Sequence, residues 1–115
     1  MSIIPKNALP DYRIRLAVAM NPGTPPAILE RLAGDKEWSI RRAVAQHAKT
    51  PAPVLACLVD DEALGVRLAL AHRLDLPTSL FEHLARDKSP DVREAIASNR
   101  NTPNVTLDWL TRDEK

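Results

Sequence analysis

The chain is poor in rings, glycine and cysteine. Its 115 residues include only four aromatics (Tyr12, Trp38, Phe81 and Trp109), three glycines and one cysteine. A core without rings must rest on Leu, Ile, Val and Ala. The single Cys57 excludes a disulfide framework and any cysteine-based metal cluster. A formal net charge of +1 supplies no basic field for nucleic acid. No apolar run approaches the roughly 18–20 residues needed to span a bilayer. The first residues lack a basic start followed by an apolar stretch, so they do not read as a signal peptide. A Gly-rich phosphate loop and a nucleophile elbow are both absent. These absences predict a soluble, cytoplasmic, non-enzymatic protein without a cofactor.

What the chain has in excess is proline, ten residues in all. Its apolar content is too high for disorder, so the prolines must punctuate structure. Pro25, Pro51, Pro77 and Pro103 stand 26 residues apart. Fixed spacing of this order marks a stacked repeat array. Other columns keep the same step. Leucine recurs at Leu32, Leu58, Leu84 and Leu110, and aspartate at Asp35, Asp61, Asp87 and Asp113. A β-branched residue at Ile14, Ile40, Val66 and Val92 is followed each time by arginine, at Arg15, Arg41, Arg67 and Arg93. Alanine recurs at Ala17, Ala43, Ala69 and Ala95, and again at Ala19, Ala45, Ala71 and Ala97. The chain therefore divides into a partial repeat at 1–24, full repeats at 25–50, 51–76 and 77–102, and a partial repeat at 103–115, all in one domain.

Each unit reads as two short helices. Helix A opens on Thr-Pro, with Thr24, Thr50 and Thr102 as N-caps and the proline at the first helical position. Leu76 breaks the threonine column. Apolar residues follow at helical spacing, as in Ile28, Leu29 and Leu32. Gly34 suits a left-handed C-terminal position. Helix B buries the triplet Ile40, Ala43, Val44 and its counterparts. Pro10 and Pro90 suit its first turn, with Ser89 as an N-cap, and it ends near Asn21, His47, Arg73 and Asn99. The two alanines of each helix B let neighbouring axes approach closely, and a leucine there would overpack by about 1–3 kcal/mol. Thin units of this kind leave little room for rings. The Asp and Arg columns are expected to be structural, with each carboxylate at the turn between helices bonding backbone N–H groups or an arginine of its own or the next unit.

The string Asn-Pro-Gly-Thr-Pro-Pro-x-Ile-Leu-x-x-Leu-Ala-x-Asp at 21–35, followed by Ile-Arg-Arg-Ala-Val-Ala at 40–45, resembles the bacterial leucine-rich repeat variant family. The Asp-x5-Arg feature also resembles HEAT-type repeats. The resemblance implies an all-α fold, a right-handed alpha-alpha superhelix of paired α or 3₁₀ helices, acting as a binding scaffold. One member type of that family holds an iron–sulfur cluster on N-terminal cysteines. Those cysteines are missing here, so that cofactor does not carry over.

Function is expected where units differ. On helix B the variable stripe is Arg13, Leu16 and Met20, then Ser39, Arg42 and Gln46. Gly65, Leu68 and His72 continue it, then Asp91, Glu94 and Ser98. The stripe shares one predicted solvent face and runs from apolar and basic to acidic, which suits a protein or peptide partner. The alternative is a HEAT-like nucleic-acid module using Arg13, Arg42 and Arg73, against which the net charge and the acidic third unit argue. His47, His72 and His83 fall in different columns and form no metal motif. Cys57 reads as a plain thiol. Tyr12 and Trp38 share a column where packing is favoured over ligand stacking. The ends of the stack are open, Ile3 and Ile4 standing in for a helix A at the start. The C-terminal end, with Leu107, Trp109 and Leu110, is a candidate for self-association.

Overall fold

A computed structural model describes residues 11–112, which form eight α-helices and no strand. The expectations placed on Ile3, Ile4, Pro10 and Asp113 lie outside the described residues. Four helices are of the B type: α1 (Tyr12–Met20), α3 (Trp38–Gln46), α5 (Leu64–Ala71) and α7 (Pro90–Ser98). Four are of the A type: α2 (Pro26–Leu32), α4 (Ala52–Leu58), α6 (Thr78–Ala85) and α8 (Asn104–Leu110). The B helices stack on one another in chain order, and the A helices pack against them. The radius of gyration is 16.4 Å, against about 13 Å for a compact chain of this length. The molecule is a helical repeat solenoid.

The periodic apolar columns form one continuous core. Ile40, Val44, Val66, Leu70, Val92 and Ile96 on the B helices are fully buried. Leu29, Leu55, Phe81 and Leu84 on the A helices close it from the other side. Phe81 shows that a unit does admit one ring, in a column held elsewhere by Leu29 and Leu55. Ala43, Ala69 and Ala95 face the preceding unit and are buried; Ala45 and Ala71 face the following unit and are sealed. Each helix B is thus enclosed on two sides by other B helices, and alanine permits that approach.

The helix starts differ from expectation in a physically informative way. Pro25, Pro51, Pro77 and Pro103 occupy the N-cap itself and make no side-chain cap. Their carbonyls accept the first helical bonds, as Pro51 does from Val54 and Leu55. The threonine before each proline does not cap helix A. It turns back and donates to the end of the preceding helix B: Thr24 to Val18 O, Thr50 to Val44 O and Thr102 to Ile96 O, each at 2.6 Å. Before Pro77, Leu76 fills the same buried position with carbon. Ser89 does cap α7, accepting from Asp91 N, and Asp11 caps α1 through Ile14 N. No described glycine has positive φ, so Gly34 is not a left-handed cap. A Cβ there would make only ordinary contact.

Two ladders of polar side chains tie successive units. At the start of helix B, three arginines reach the aspartate of the next unit. Arg15 Nε lies 2.8 Å from Asp35, Arg41 Nε 2.7 Å from Asp61, and Arg67 Nε 2.9 Å from Asp87. The same guanidinium reaches back within its unit, Arg41 Nη1 donating to Asp35 O and Arg67 Nη1 to Asp61 O. Each carboxylate also accepts the N–H two residues on, from Glu37, Ala63 and Ser89. The three arginine side chains are 25%, 12% and 6% exposed in turn, so the ladder becomes drier along the array.

The second ladder lies at the other end of helix B. His47 Nε2 donates to Asn21 O at 2.8 Å, while its Nδ1 accepts Lys49 N–H. Arg73 Nη1 donates to Ala45 O and His47 O at 2.7 and 2.8 Å. Asn99 Nδ2 donates to Ala71 O and Arg73 O at 2.9 and 2.7 Å. All three side chains are buried. They satisfy the carbonyls that a helix C-terminus leaves without an internal partner.

The first ladder makes stability acid-sensitive. The Arg15 hydrogen bond holds the Asp35 carboxyl below its ordinary value of 3.8. Burial pushes Asp61 up, but the bonds from Arg41 and the Ala63 N–H outweigh it and leave Asp61 low as well. Arg73 lowers Asp75. With folded values below unfolded ones, the stabilisation is complete above the ordinary aspartate range and disappears as pH falls through the folded values. The thermal midpoint is therefore expected to be level from neutral pH down to about pH 5 and to fall below it. Asp35→Asn should flatten that acid limb in melts followed by circular dichroism. Asp87→Ala, which strands the buried Arg67, should cost about 3–5 kcal/mol in denaturant unfolding. Thr50→Val, which removes one hydroxyl from Val44 O, should cost about 1 kcal/mol in the same assay.

Candidate functional site

The repeated residues are consumed by stacking, so the site is sought on what remains. Helix B offers one lateral face that neither ladder uses. Arg13, Met20, Arg42, Gln46, His72, Asp91, Glu94 and Ser98 are exposed on it. Ser39 is half-buried and bonds Tyr12 Oη at 2.7 Å. Leu16 and Leu68 differ from the exposure expected of them. Both are half-buried and pack against the core, because a leucine on a helix flank bends over the turn beside it. Met20, at 65%, is the one apolar member that is open to solvent.

A second row runs beside the stripe. Tyr12, Trp38 and Leu64 share one column and are each more than a third exposed. The Trp38 ring lies against the next unit at Gly65. A Cβ on Gly65 would stand 2.7 Å from Trp38 Cζ3. Glycine in the variable stripe is thus explained by space, the ring having taken the room. The Arg42 guanidinium stacks over the same ring, 5.1 Å from its centroid, a geometry worth about 0.5–1 kcal/mol at an exposed site. Tyr12 makes the matching contact one unit earlier, through Ser39. Packing and exposure therefore coincide here: the rings are seated on the next unit and still present an edge outward.

The other candidates resolve individually. Arg73 is buried in the second ladder and held by Asp75 at 2.9 Å, so it is not available to a phosphate. His47 belongs to that ladder too, His83 pairs with Asp60 at 2.7 Å on the surface, and His72 stands exposed. Among the described residues, no three His, Cys, Asp or Glu side chains could hold a metal ion together. Cys57 is a free, exposed thiol. At the C-terminal end, Arg86 stacks 4.4 Å over Trp109, beside a groove lined by Glu82, Ala85, Val105 and Thr106. Thr106 stands where Ile28, Val54 and Leu80 stand in other units, and its Oγ1 is buried without a partner.

The second ladder and the Trp38–Gly65 contact were not read from sequence. His47, Arg73 and Asn99 look unlike one another, and their shared signal is a side-chain N–H donor long enough to reach the previous unit. Trp38 and Gly65 sit in neighbouring columns, 27 residues apart, where an in-column comparison does not look.

Stacked B helices joined by two polar ladders define a protein of the α-helical repeat class. The family model described as leucine rich repeat variant matches residues 12–37, and units of this family are HEAT-like helical repeats. The matched segment is one unit cut as helix B followed by helix A, and the same pattern recurs 26 residues later at 38–63 and again at 64–89. No curated protein and no solved structure matches the chain significantly. Among the described residues no helix is long and apolar enough to cross a membrane.

Gly65→Ala tests the seating of the ring. The added methyl should displace Trp38 from its contact, since that ring is 46% exposed and free to swing. In a Trp109→Phe background, Trp38 emission is expected to shift to longer wavelength. The melting temperature should change little, because alanine's better helix propensity, about 1 kcal/mol, offsets the lost contact.

Proposed function

We propose that this single helical-repeat domain is a non-enzymatic scaffold that binds a protein or peptide along the lateral face of its B helices. The observation that carries this reading is the Trp38–Arg42 stack. It sits half-exposed in the middle of the array, flanked by Tyr12 on one side and Leu64 on the other. Trp, Tyr and Arg are the residues that dominate binding energy at protein interfaces, because they join large contact area to a polar tip. The surrounding stripe supplies partner selection. Arg13 and Arg42 lie toward one end, Asp91 and Glu94 toward the other, and the neutral Gln46 and His72 between them. A partner segment with acidic groups at one end and basic groups at the other meets complementary charge along the whole row. Such a scaffold acts in the cytoplasm, and the reading extends to self-association at the C-terminal end, where Trp109 and Val105 border the groove.

The test is affinity capture from the native host with the intact chain and with a Trp38→Ala, Arg42→Ala double variant. A partner retained by the intact chain should be lost by the variant, at a cost of about 2 kcal/mol or more for the anchor pair. Binding should weaken only modestly between low and physiological salt. Equal capture by both chains sinks the lateral-face reading, and a steep salt dependence with a nucleic-acid ligand replaces it.

A further inference from the structure

One column beside the charged stripe holds the first residue of every helix B: Tyr12, Trp38, Leu64 and Pro90. All four are exposed. The last three follow one another across α3, α5 and α7. Ile40, Val66 and Val92, two residues further along the same helices, are fully buried. Trp38, Leu64 and Pro90 therefore form an apolar row, one residue wide, at the edge between core and solvent.

The step of this row is set by the fold. The B helices stack in chain order, and packed helices lie about 8–10 Å apart. The Trp38 ring bridges the first step, lying against Gly65. An occupant must repeat its own contacts at that step and along one line. A polyproline II helix rises about 3.1 Å per residue with three residues per turn, so every third side chain falls on one line about 9 Å apart. Same-face side chains of a β-strand come roughly 6.6 or 13 Å apart, and neither fits. An α-helix returns to one face after about 10.5 Å, but its apolar seam is two residues wide. The row is half that width, bordered by the charged Arg42, Asp91 and Glu94.

Hydrogen bonding makes the same choice. A proline-rich segment brings free carbonyls and few N–H groups, so it needs a surface of donors. Trp38 carries an indole N–H and Arg42 a guanidinium. The helices α3 and α5 also begin without a side-chain cap, which leaves first-turn N–H groups for such carbonyls. An α-helical partner has already spent its backbone carbonyls internally. Charge sets the orientation. Arg42 stands over Trp38, while Asp91 follows Pro90 directly and Glu94 lies one turn on, all three exposed.

We infer that the partner of the lateral face is a proline-rich segment in the polyproline II conformation, laid across the first turns of α3, α5 and α7. Its acidic end lies toward Arg42 and its basic end toward Asp91 and Glu94. About seven residues of such a segment reach from Trp38 to Pro90, and aromatic surfaces such as the Trp38 ring are natural seats for proline. This inference rests on the lateral-face reading and names the chemistry of its partner.

Titration of the isotope-labelled intact chain with synthetic peptides, followed by NMR, tests it. The probe is a peptide of about twelve residues, with glutamates at one end, Leu-Pro-Pro triplets in the middle and arginines at the other, made in both chain directions. Saturable shifts should fall on the first turns of α3, α5 and α7. Replacing the prolines by alanine should weaken binding about tenfold or more, since the preformed conformation is lost. Trp38→Ala should weaken it to a similar degree. Arg42→Glu, at an exposed position, should weaken it about fivefold and serves as the second variant if Trp38→Ala lowers the melting temperature. No saturable shift with either peptide direction overturns the inference. Equal or tighter binding of the alanine peptide also overturns it, by marking a helical partner. If the proline peptides fail while capture of a host partner still depends on Trp38 and Arg42, the lateral-face reading stands and this inference alone falls. If that dependence is absent too, both fall.

Discussion

The structure depends on what happens to the carbonyls at the end of each helix B. A helix leaves its last carbonyls without internal partners, and water normally serves them. Here the next unit stacks so closely, alanine on alanine, that water is kept away. An unpaired buried carbonyl would cost about 1–3 kcal/mol. The neighbour that displaces the water must therefore bring a donor with it. His47, Arg73 and Asn99 are those donors, each reaching back to the unit it covers. Thr24, Thr50 and Thr102 complete the arrangement from within the same unit. Stacking and capping thus become one event, and a unit that packed without its donor would be destabilised by its own close fit.

The arginine–aspartate ladder constrains the opposite end of the same helices. Arg41 and Arg67 each bond the carboxylate of the next unit and a carbonyl of their own, so one side chain spans three pieces of chain. Burying such charges is expensive, and a dry ion pair adds less stability than its short distances suggest. Its larger effect is on register. A slip of one residue between neighbouring B helices would leave Arg67 and Asp87 buried apart and would move Asn99 away from Ala71 O. Apolar columns of Leu, Ile and Val tolerate small slips, and the two ladders, one at each end of helix B, do not.

This division explains which parts were legible in the amino-acid sequence. Translation along a stack copies residues at a fixed step, so the unit, the helix pair and the alanine contacts could be read from the 26-residue columns. The Asp and Arg columns could be recognised as structural for the same reason. The Thr-Pro pattern marks the position of each threonine but not the direction of its bond, because a hydroxyl accepts as readily as it donates. The donor column was hidden because imidazole, guanidinium and amide perform one task with three shapes. Of the candidate face, the exposure of Arg42, His72 and Glu94 followed from helical period. The half-burial of Leu16 and Leu68 did not, since it depends on how a flank side chain leans. The Trp38–Gly65 contact lies between columns and becomes visible only when neighbouring units are placed in space.

Stacking divides the columns of the array into two kinds, those that vary from unit to unit and those that repeat. The lateral face varies from unit to unit because neither packing nor a ladder uses it. Substitution there alters a partner's fit without altering the fold, which lets this face become specific. The repeated columns do not vary: Ile14 and Ala17 match the interior columns, and so does Ala97. These columns pack one unit on the next inside the array. A lateral partner is therefore selected by side chains that the array could exchange. The repeated columns are held by the geometry that joins one unit to the next, and substitution there alters the fold before it alters any partner's fit.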